Sequence, residues 1–222
     1  MKVAILYSGG KDSNLALNYA LKSQGIEVKC LITVYSENDA SYMFHTPNIH
    51  ITELQARAAE IPIMTKETKG EKELELQDLK SIINDAIRKY KIEGIFTGAV
   101  KSMYQASRIQ KICDELRIKC INPLWQKSED EIIADLDRLG FKVIISGVFA
   151  YPLTKEYVGK QLNKSMAEKL KKLNVSPIGE GGEIETTVLA APFFKKNIII
   201  QDFKVEGEGN SWNYRIRKAI LR

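Results

Sequence analysis

The stretch Ser8-Gly9-Gly10-Lys11-Asp12-Ser13 decides the fold of this chain. It follows an apolar run, residues 2–7, that predicts a buried strand, and it precedes residues 14–21, whose pattern predicts a helix ending at Gly25. A strand, a glycine-rich turn and a helix N-terminus together predict an anion site, because the helix dipole and the free N–H groups of the first turn favour negative charge. Lys11 adds a mobile cation that suits phosphate.

The turn differs from two familiar phosphate loops. A Walker A loop needs a glycine where the chain has Ile5, and the Rossmann fingerprint needs a third glycine that does not follow at the right spacing. An ordinary turn with helix-capping serines is the alternative, but Lys11 and Asp12 have no packing purpose in so tight a turn. The stretch 8–13 resembles the pyrophosphate loop, or PP-loop, of the N-type ATP pyrophosphatases. This resemblance implies cleavage of ATP to AMP and pyrophosphate.

Length and composition limit the class of protein. The 222 residues, 44% of them hydrophobic, predict one large domain or a main domain with a smaller appendage. No apolar run approaches the roughly 20 residues of a membrane span, and a strand at the very N-terminus argues against a signal peptide, so we expect a cytoplasmic protein. Three scattered cysteines without a Cys-x-x-Cys pair predict buried thiols rather than a sulfur-transfer or zinc site. The net charge of +5 is mild for a dedicated nucleic-acid binder.

Short apolar strands alternate with amphipathic helices through the first half of the chain. This alternation predicts an α/β fold, with a parallel sheet covered by helices on both faces and a ligand site beyond the carboxyl ends of the strands. The pattern changes around Pro123-Leu124-Trp125. We therefore predict a first domain over residues 1–125 and a smaller C-terminal α+β domain over residues 126–222. In the second domain, Ser128 and Glu131 predict a capping box, and two strands near 186–191 and 197–205 are expected to close the chain.

Three further segments have the composition of functional sites. Residues 97–108 lie between a strand end and a helix, so Tyr104 and Arg108, one turn apart, can face the cleft; a helix cap with a surface arginine is the alternative. Residues 178–186 hold three glutamates among glycines, which suits Mg²⁺, ammonium or proton transfer, against the alternative of a solvated hairpin. Residues 41–50 contain both histidines and predict either an adenine-contacting lid or a packed loop with one core histidine.

The order and spacing of these segments resemble the diphthine–ammonia ligase family along nearly the whole chain. The matching motifs are Gly98-Ala99-Val100-x-Ser102-x-Tyr104-Gln105-x-x-Arg108, Pro123-Leu124-Trp125 and Gly179-Glu180-Gly181-Gly182-Glu183-Ile184-Glu185-Thr186. The chain departs from the family at Ile184, where an aromatic residue is frequent, and at Gln110, where an acidic residue is common. The resemblance implies an adenine nucleotide α-hydrolase-like (HUP-type) fold and an AMP-forming carboxylate–ammonia ligase. In that reaction ATP, with Mg²⁺, activates the carboxylate of diphthine on translation elongation factor 2, and ammonia displaces AMP to give diphthamide.

The resemblance also implies roles for individual residues. The catalytic residues it implies are Lys11, Asp12, Glu183 and Glu185, and Asp12 is the candidate ligand for Mg²⁺. We expect Glu183 and Glu185 on the acceptor or ammonia side of the cleft, because their negative charge would repel a triphosphate. The residues implied to bind ATP are Ser8, Gly9, Gly10, Lys11, Asp12, Ser13, Thr33 and Gly98. Those implied on the substrate side are Tyr104, Gln105, Arg108, Glu180, Gly182 and Thr186.

Two other classes of protein stay open from the sequence. A lysidine-type, RNA-modifying ligase on the same fold would need a larger and more basic RNA-binding domain. A regulatory module that binds adenine nucleotides without chemistry would need no glutamate-rich second site. We expect free ammonia as the nitrogen source, since no glutaminase-like segment is present, and we expect no membrane partner. The oligomeric state stays open, with a homo-oligomer among the alternatives.

Overall fold

The first half of the chain forms a five-stranded parallel sheet. The computed structural model describes residues 1–37, 47–71 and 74–222. The strands follow the order β3-β2-β1-β4-β5 across the sheet, and every pair of neighbours is parallel. Their bounds are β1 (Lys2–Leu6), β2 (Glu27–Ser36), β3 (Ile63–Thr68), β4 (Gly94–Phe96) and β5 (Lys119–Ile121).

Four helices cover both faces of this sheet, as the alternating pattern predicts. They are α1 (Lys11–Lys22), α2 (Ile51–Ala59), α3 (Leu74–Tyr90) and α4 (Met103–Leu116). On one face, α3 and α4 bury apolar side chains against Ile32 and Ile95 of the sheet. On the other face, α1 and α2 pack against Ile5 and Leu31. The predicted parallel α/β fold is confirmed.

The strand order reverses between β1 and β4. One connection runs outward from β1 through α1 to β2, and the other runs outward from β4 through α4 to β5. The segments that leave these two neighbouring strands, residues 7–11 and 97–102, therefore begin side by side at the carboxyl edge. Such a switch point is where open α/β sheets bind ligands, and it holds the glycine-rich stretch.

The second half forms a separate antiparallel sheet with two helices. Its strands are β6 (Lys142–Val148), β7 (Ile184–Ala190), β8 (Ile198–Glu208) and β9 (Ser211–Leu221), in the order β7-β6-β9-β8. The helices are α5 (Glu129–Arg138) and α6 (Lys164–Lys172). The capping box of Ser128 and Glu131 at the start of α5 is confirmed, since both of its hydrogen bonds are present. The C-terminal α+β part of the predicted fold is confirmed, while a boundary near residue 125 stays a prediction.

The expectation that two strands close the chain is wrong, because a third strand, β9, follows them. Trp212, Tyr214 and Ile216 alternate with the outward-facing Arg215 and Arg217, which is the period of a strand with one buried face. The arginines and lysine of this segment look like a charged tail when the alternation is not counted. The hairpin that joins β8 to β9 turns at residues 209–210.

The two halves share a common core and several polar contacts. Leu15 of α1 and Ile51 of α2 are buried in the same cluster as Val143 and Val188 of the second sheet. The Asn48 side chain donates to the Tyr214 carbonyl (2.8 Å) and accepts from an amide of β9 (2.7 Å). The second sheet is therefore held against α1 and α2, the helices on one face of the first sheet. In the described part of the chain, no helix is long and apolar enough to cross a membrane.

Candidate phosphate and acceptor site

The glycine-rich stretch joins β1 directly to the N-terminus of α1. Gly9 has φ +81°, a left-handed conformation that glycine adopts without strain. Gly10 is the N-cap of α1 and offers no side chain to cap the helix. A Cβ atom on Gly98 would lie 2.8 Å from the backbone of both Asp12 and Ser13, so only glycine lets the end of β4 approach the helix this closely. The predicted strand, turn and helix N-terminus are thus assembled as the sequence indicates.

A cavity of about 340 Å³ opens over this helix N-terminus. It lies between the switch point of the first sheet and the glutamate-rich segment that leads into β7. The cavity brings together eleven of the predicted site residues, namely Ser8, Gly10, Lys11, Asp12, Ser13, Gly98, Gln105, Glu180, Gly182, Glu185 and Thr186. Segments about 170 residues apart in sequence therefore form one site.

Lys11 lies at the centre of the polar contacts beneath the cavity. Its side chain is buried and donates to Asp12 Oδ2 (2.8 Å) and to the carbonyl oxygen of Ile178. Its backbone N–H donates to Thr186 Oγ1 (3.1 Å), so the C-terminal half supplies the cap that Gly10 lacks. Among the described residues, Asp12 Oδ1 is buried without a hydrogen-bond partner. An orphaned carboxylate oxygen of this kind can bind a ligand or a cation.

Strand β7 is fastened to the glycine-rich turn by a buried glutamine. Gln55 Nε2, on α2, donates to the Gly9 carbonyl (2.9 Å) and to the Val188 carbonyl (2.8 Å), and the Val188 N–H donates to the same Gly9 oxygen (3.1 Å). Gln55 is fully buried. Sequence reasoning missed this residue, since one polar residue beside the apolar stripe of α2 gives no local signal of its partners.

Two of the three glutamates face the cavity, and burial changes their acidity. Burial raises the pKa of Glu185 to about 7; Lys11 opposes this shift and the Asp12 carboxylate adds to it. Burial and then Asp12 also raise the pKa of Glu180, against the nearby cations of Lys11 and Lys101. The cavity therefore holds carboxyl groups that exchange protons closer to neutral pH than ordinary carboxyl groups do.

The third glutamate, Glu183, is not among the residues that line the cavity. Its carboxylate accepts from the Gly181 N–H (2.9 Å), and its carbonyl accepts from the Phe149 N–H (2.9 Å). These contacts shape the loop that carries Glu180 and Glu185. The expected acceptor-side role of Glu183 stays a prediction.

Three other predicted residues lie beside the cavity rather than in its lining. The Thr33 hydroxyl donates to the Tyr7 carbonyl (2.6 Å) within the first sheet. The Arg108 guanidinium lies over the Tyr104 ring, with Cζ 3.6 Å from the ring centroid, while Gln105 between them lines the cavity. Tyr104 and Arg108 thus form a stacked pair at the start of α4.

The predicted lid, residues 41–50, falls largely outside the described residues, which resume at 47. His50 is exposed and its Nε2 lies 2.9 Å from the Ile216 carbonyl, in hydrogen-bonding contact with β9. Both alternatives, an adenine-contacting lid and a packed loop, therefore stay predictions.

The cysteines are free thiols. Cys30 and Cys113 are buried, as the sequence predicts, and Cys120 is partly buried.

Comparison with known proteins gives one consistent result. Two family models match the chain, the diphthamide synthase N-terminal domain over residues 1–120 and the diphthamide synthase C-terminal domain over residues 128–221. A diphthine–ammonia ligase of Schizosaccharomyces pombe is 33% identical over 92% of this chain, which spans 37% of that protein's length. Those of Bos taurus and Homo sapiens are 31% and 30% identical, over 92% of this chain and 85% of each relative. The similarity includes every segment that lines the cavity.

Proposed function

Because the chain belongs to the diphthamide synthase family, we propose that it is an AMP-forming diphthine–ammonia ligase. Its substrates are ATP, ammonia and the diphthine residue of translation elongation factor 2, and its product is diphthamide. The observation that carries the proposal is one cavity that joins a phosphate-type helix N-terminus to the carboxyl groups of Glu180 and Glu185. The site thus has a place for a triphosphate and, next to it, groups that suit a cationic acceptor and ammonia.

The reaction needs two steps, since a carboxylate does not react with ammonia directly. In the first step, a carboxylate oxygen of diphthine attacks the α-phosphorus of ATP, the bond to pyrophosphate breaks and a carboxyl adenylate forms. In the second step, ammonia attacks the carbonyl carbon and AMP leaves, which gives the amide. The backbone of residues 9–13 and the Lys11 ammonium would offset charge on the phosphates.

The side chains around the cavity fit a Mg²⁺ ion that arrives with ATP. Asp12 Oδ1 is buried without a partner in the described ranges, and the Asp12 carboxylate lies close enough to Glu185 to raise its pKa. Those ranges contain no group of three His, Cys, Asp or Glu side chains arranged around one metal. One or two carboxylates plus phosphate oxygens is the usual ligand set for Mg²⁺. The ion would neutralise charge on the departing pyrophosphate.

Glu185 and Glu180 would serve the nitrogen and acceptor side of the site. A carboxyl group with a pKa of about 7 suits proton transfer at neutral pH, so Glu185 can take a proton from ammonium before attack on the adenylate. Diphthine carries a trimethylammonium group, which carboxylates attract. Glu183 would hold the loop that presents both carboxyl groups. We further propose that free ammonia is the nitrogen donor and that the enzyme works in the cytoplasm.

The proposal is tested with purified elongation factor 2 that carries diphthine. Incubation with ATP and ammonium is expected to give AMP and pyrophosphate in step with amidation, measured by chromatography and mass spectrometry. Lys11→Ala should abolish both, because it removes the cation buried beneath the site. Lys22→Ala, an exposed lysine in the last turn of the same helix, is the matched control and should keep both. ADP as the stoichiometric product, or full activity of Lys11→Ala, would contradict the assignment.

A further inference from the structure

We propose that the elongation factor docks on an exposed apolar surface at the mouth of the cavity, formed by Met103, Tyr104 and Tyr151. We call this surface the acceptor rim. The inference rests on the proposed function, and it adds the part of the molecule that recognises the protein substrate. It is carried by the position of these three side chains, their exposure and the charge beside them.

One side of the acceptor rim is the first turn of α4. Met103 and Tyr104 stand between Ser102 and Gln105, and both of those neighbours line the cavity. The preceding residue, Lys101, lies close enough to the Glu180 carboxyl to influence its pKa. This turn is therefore next to the glutamate-rich segment at the cavity mouth.

The other side of the acceptor rim follows the end of β6. Val148, the last residue of β6, pairs with Ile184 at the start of β7. The next residue, Phe149, donates its N–H to the Glu183 carbonyl (2.9 Å), and Tyr151 is two residues further on. The segment that carries Glu180 and Glu183 thus runs between the two sides of the rim.

The side chains of the acceptor rim are exposed to an unusual degree. Tyr151 is 83% exposed and Met103 is 66% exposed, more than any other large hydrophobic side chain that the structure describes. Aromatic residues and methionine are enriched at protein–protein interfaces, and large exposed apolar groups beside a site mark surfaces that bind a partner. Their position at a cavity mouth therefore indicates a partner that inserts one residue into the cavity.

The chemistry of the rim fits a protein loop that carries a quaternary ammonium group. Aromatic faces and carboxylates together recognise such cations. Here Tyr104 follows Lys101, which lies near Glu180, and Tyr151 follows Phe149, which donates to the Glu183 carbonyl. The Tyr104 ring already binds the Arg108 guanidinium on one face, which shows that its environment accepts a cation. The partner is thus the protein segment on either side of diphthine, with the modified side chain in the cavity.

The test compares two double variants of the full chain. Met103→Ser with Tyr151→Ser alters the rim and should raise the KM for the elongation factor at least tenfold, with ATP affinity unchanged by calorimetry. Ile199→Ser with Ile220→Ser is the matched control. These isoleucines pair across the β8–β9 hairpin and are 42% and 38% exposed, so the control should leave the KM within about twofold. An unchanged KM in the rim variant, or an equal rise in both, overturns the proposal.

Two further readouts separate docking at the rim from an effect on turnover or on self-association. Direct binding of the elongation factor is measured by surface plasmon resonance with each variant, because it does not require turnover. If the wild-type protein binds the factor through the rim but never amidates it, the proposed function fails while the docking surface stands. If the wild-type protein does not bind the factor, the proposed function and the docking surface both fail.

Sedimentation analysis completes the test. A rim variant that changes the oligomeric state would assign the surface to a second copy of the chain and overturn the docking proposal.

Discussion

At the scale of single residues, Glu185 shows most clearly how the cavity changes the acidity of a side chain. A carboxyl group that is enclosed among protein atoms loses hydration, so the charged form is disfavoured and the pKa rises to about 7. The folded protein therefore binds this proton more tightly than the unfolded chain does. The stability that this group contributes is fully present below the unfolded pKa and is lost as the pH rises toward 7.

Replacing Glu185 with glutamine should therefore stabilise the protein in a pH-dependent way. At pH 8 the free energy of unfolding of Glu185→Gln should exceed that of the wild type by about 1–3 kcal/mol, because the buried charge is removed. At pH 5 the two should nearly coincide. Urea unfolding at both pH values measures this, and Glu156→Gln, at an exposed loop position, is the control that should change little. An equal difference at the two pH values would show that the carboxyl group is not the cause.

The same variant also tests the role of Glu185 in the reaction. Glu185→Gln should lose amidation of the elongation factor and retain ATP binding, because glutamine keeps the shape of the side chain but cannot accept a proton from ammonium. Calorimetric titration with ATP and mass spectrometry of the factor give the two readouts. If ATP binding falls as far as in Lys11→Ala, Glu185 is a ligand of the metal–nucleotide complex instead.

At the scale of elements, Gln55 connects a helix, a turn and a strand that belong to different parts of the chain. Its side-chain amide bonds to the carbonyls of Gly9 and Val188 at the same time. The glycine-rich turn and β7 are thereby held at one separation. This separation sets the distance between the glycine-rich turn and the carboxyl groups of the loop before β7.

Gln55→Leu should therefore weaken both stability and turnover. The change removes the side-chain donor to two buried carbonyl oxygens, of which that of Gly9 keeps the Val188 N–H, so we expect a loss of about 1–3 kcal/mol in the free energy of unfolding. We also expect the kcat for amidation to fall more than ATP affinity does, because the turn stays intact while its distance to β7 changes. Arg57→Leu, on the exposed side of the same helix, should alter neither. A stability loss with unchanged kcat would reduce Gln55 to a purely structural role.

The predictability of the elements follows from how local their signals are. The strands of the first sheet are short continuous apolar runs, its helices repeat at three to four residues, and the capping box of α5 lies within four residues, so each can be predicted from the sequence. The contacts of Gln55 and the cap that Thr186 provides for Lys11 depend on partners 133 and 175 residues away. Such partners leave no local pattern. Strand β9 is hard to predict for a different reason, since its alternation is partly obscured by charged residues on the outer face.

At the scale of the whole molecule, the two halves are also joined by a charged network away from the cavity. The Tyr19 hydroxyl on α1 donates to Asp135 Oδ2 on α5 (2.5 Å), and Lys127 Nζ lies 2.7 Å from the first and 2.9 Å from the second. Burial alone would raise the pKa of Asp135, but hydrogen bonds from Tyr19, Arg138 and Lys127 outweigh it and lower the pKa to about 2.

This network predicts an acid-sensitive contribution to stability. Because the folded pKa of Asp135 is depressed, its contribution is present above a pH of about 4 and is lost as the pH falls through 2. Asp135→Asn should cost about 2 kcal/mol at pH 7 and progressively less below pH 4. Asp130→Asn is the control, since its ion pair with Lys171 is exposed and should contribute little to stability. Guanidinium unfolding from pH 7 to below pH 4 measures the free energy of unfolding of both variants. A loss in Asp135→Asn that does not change with pH, or that Asp130→Asn matches, would contradict the prediction.

The long reach of the Lys11 contacts has a consequence for how the protein is made. A growing chain can form the first sheet, from β1 through β5, before the second half is synthesised, because all five strands lie within residues 2–121. A chain interrupted before residue 178, however, lacks both the Ile178 carbonyl and the Thr186 hydroxyl that hold Lys11 in place. Contacts that span so much of the sequence are the slowest to form in folding. Synthesis must therefore pass residue 188 before a ribosome-bound chain can assemble this site, and incomplete products carry a sheet without its working pocket.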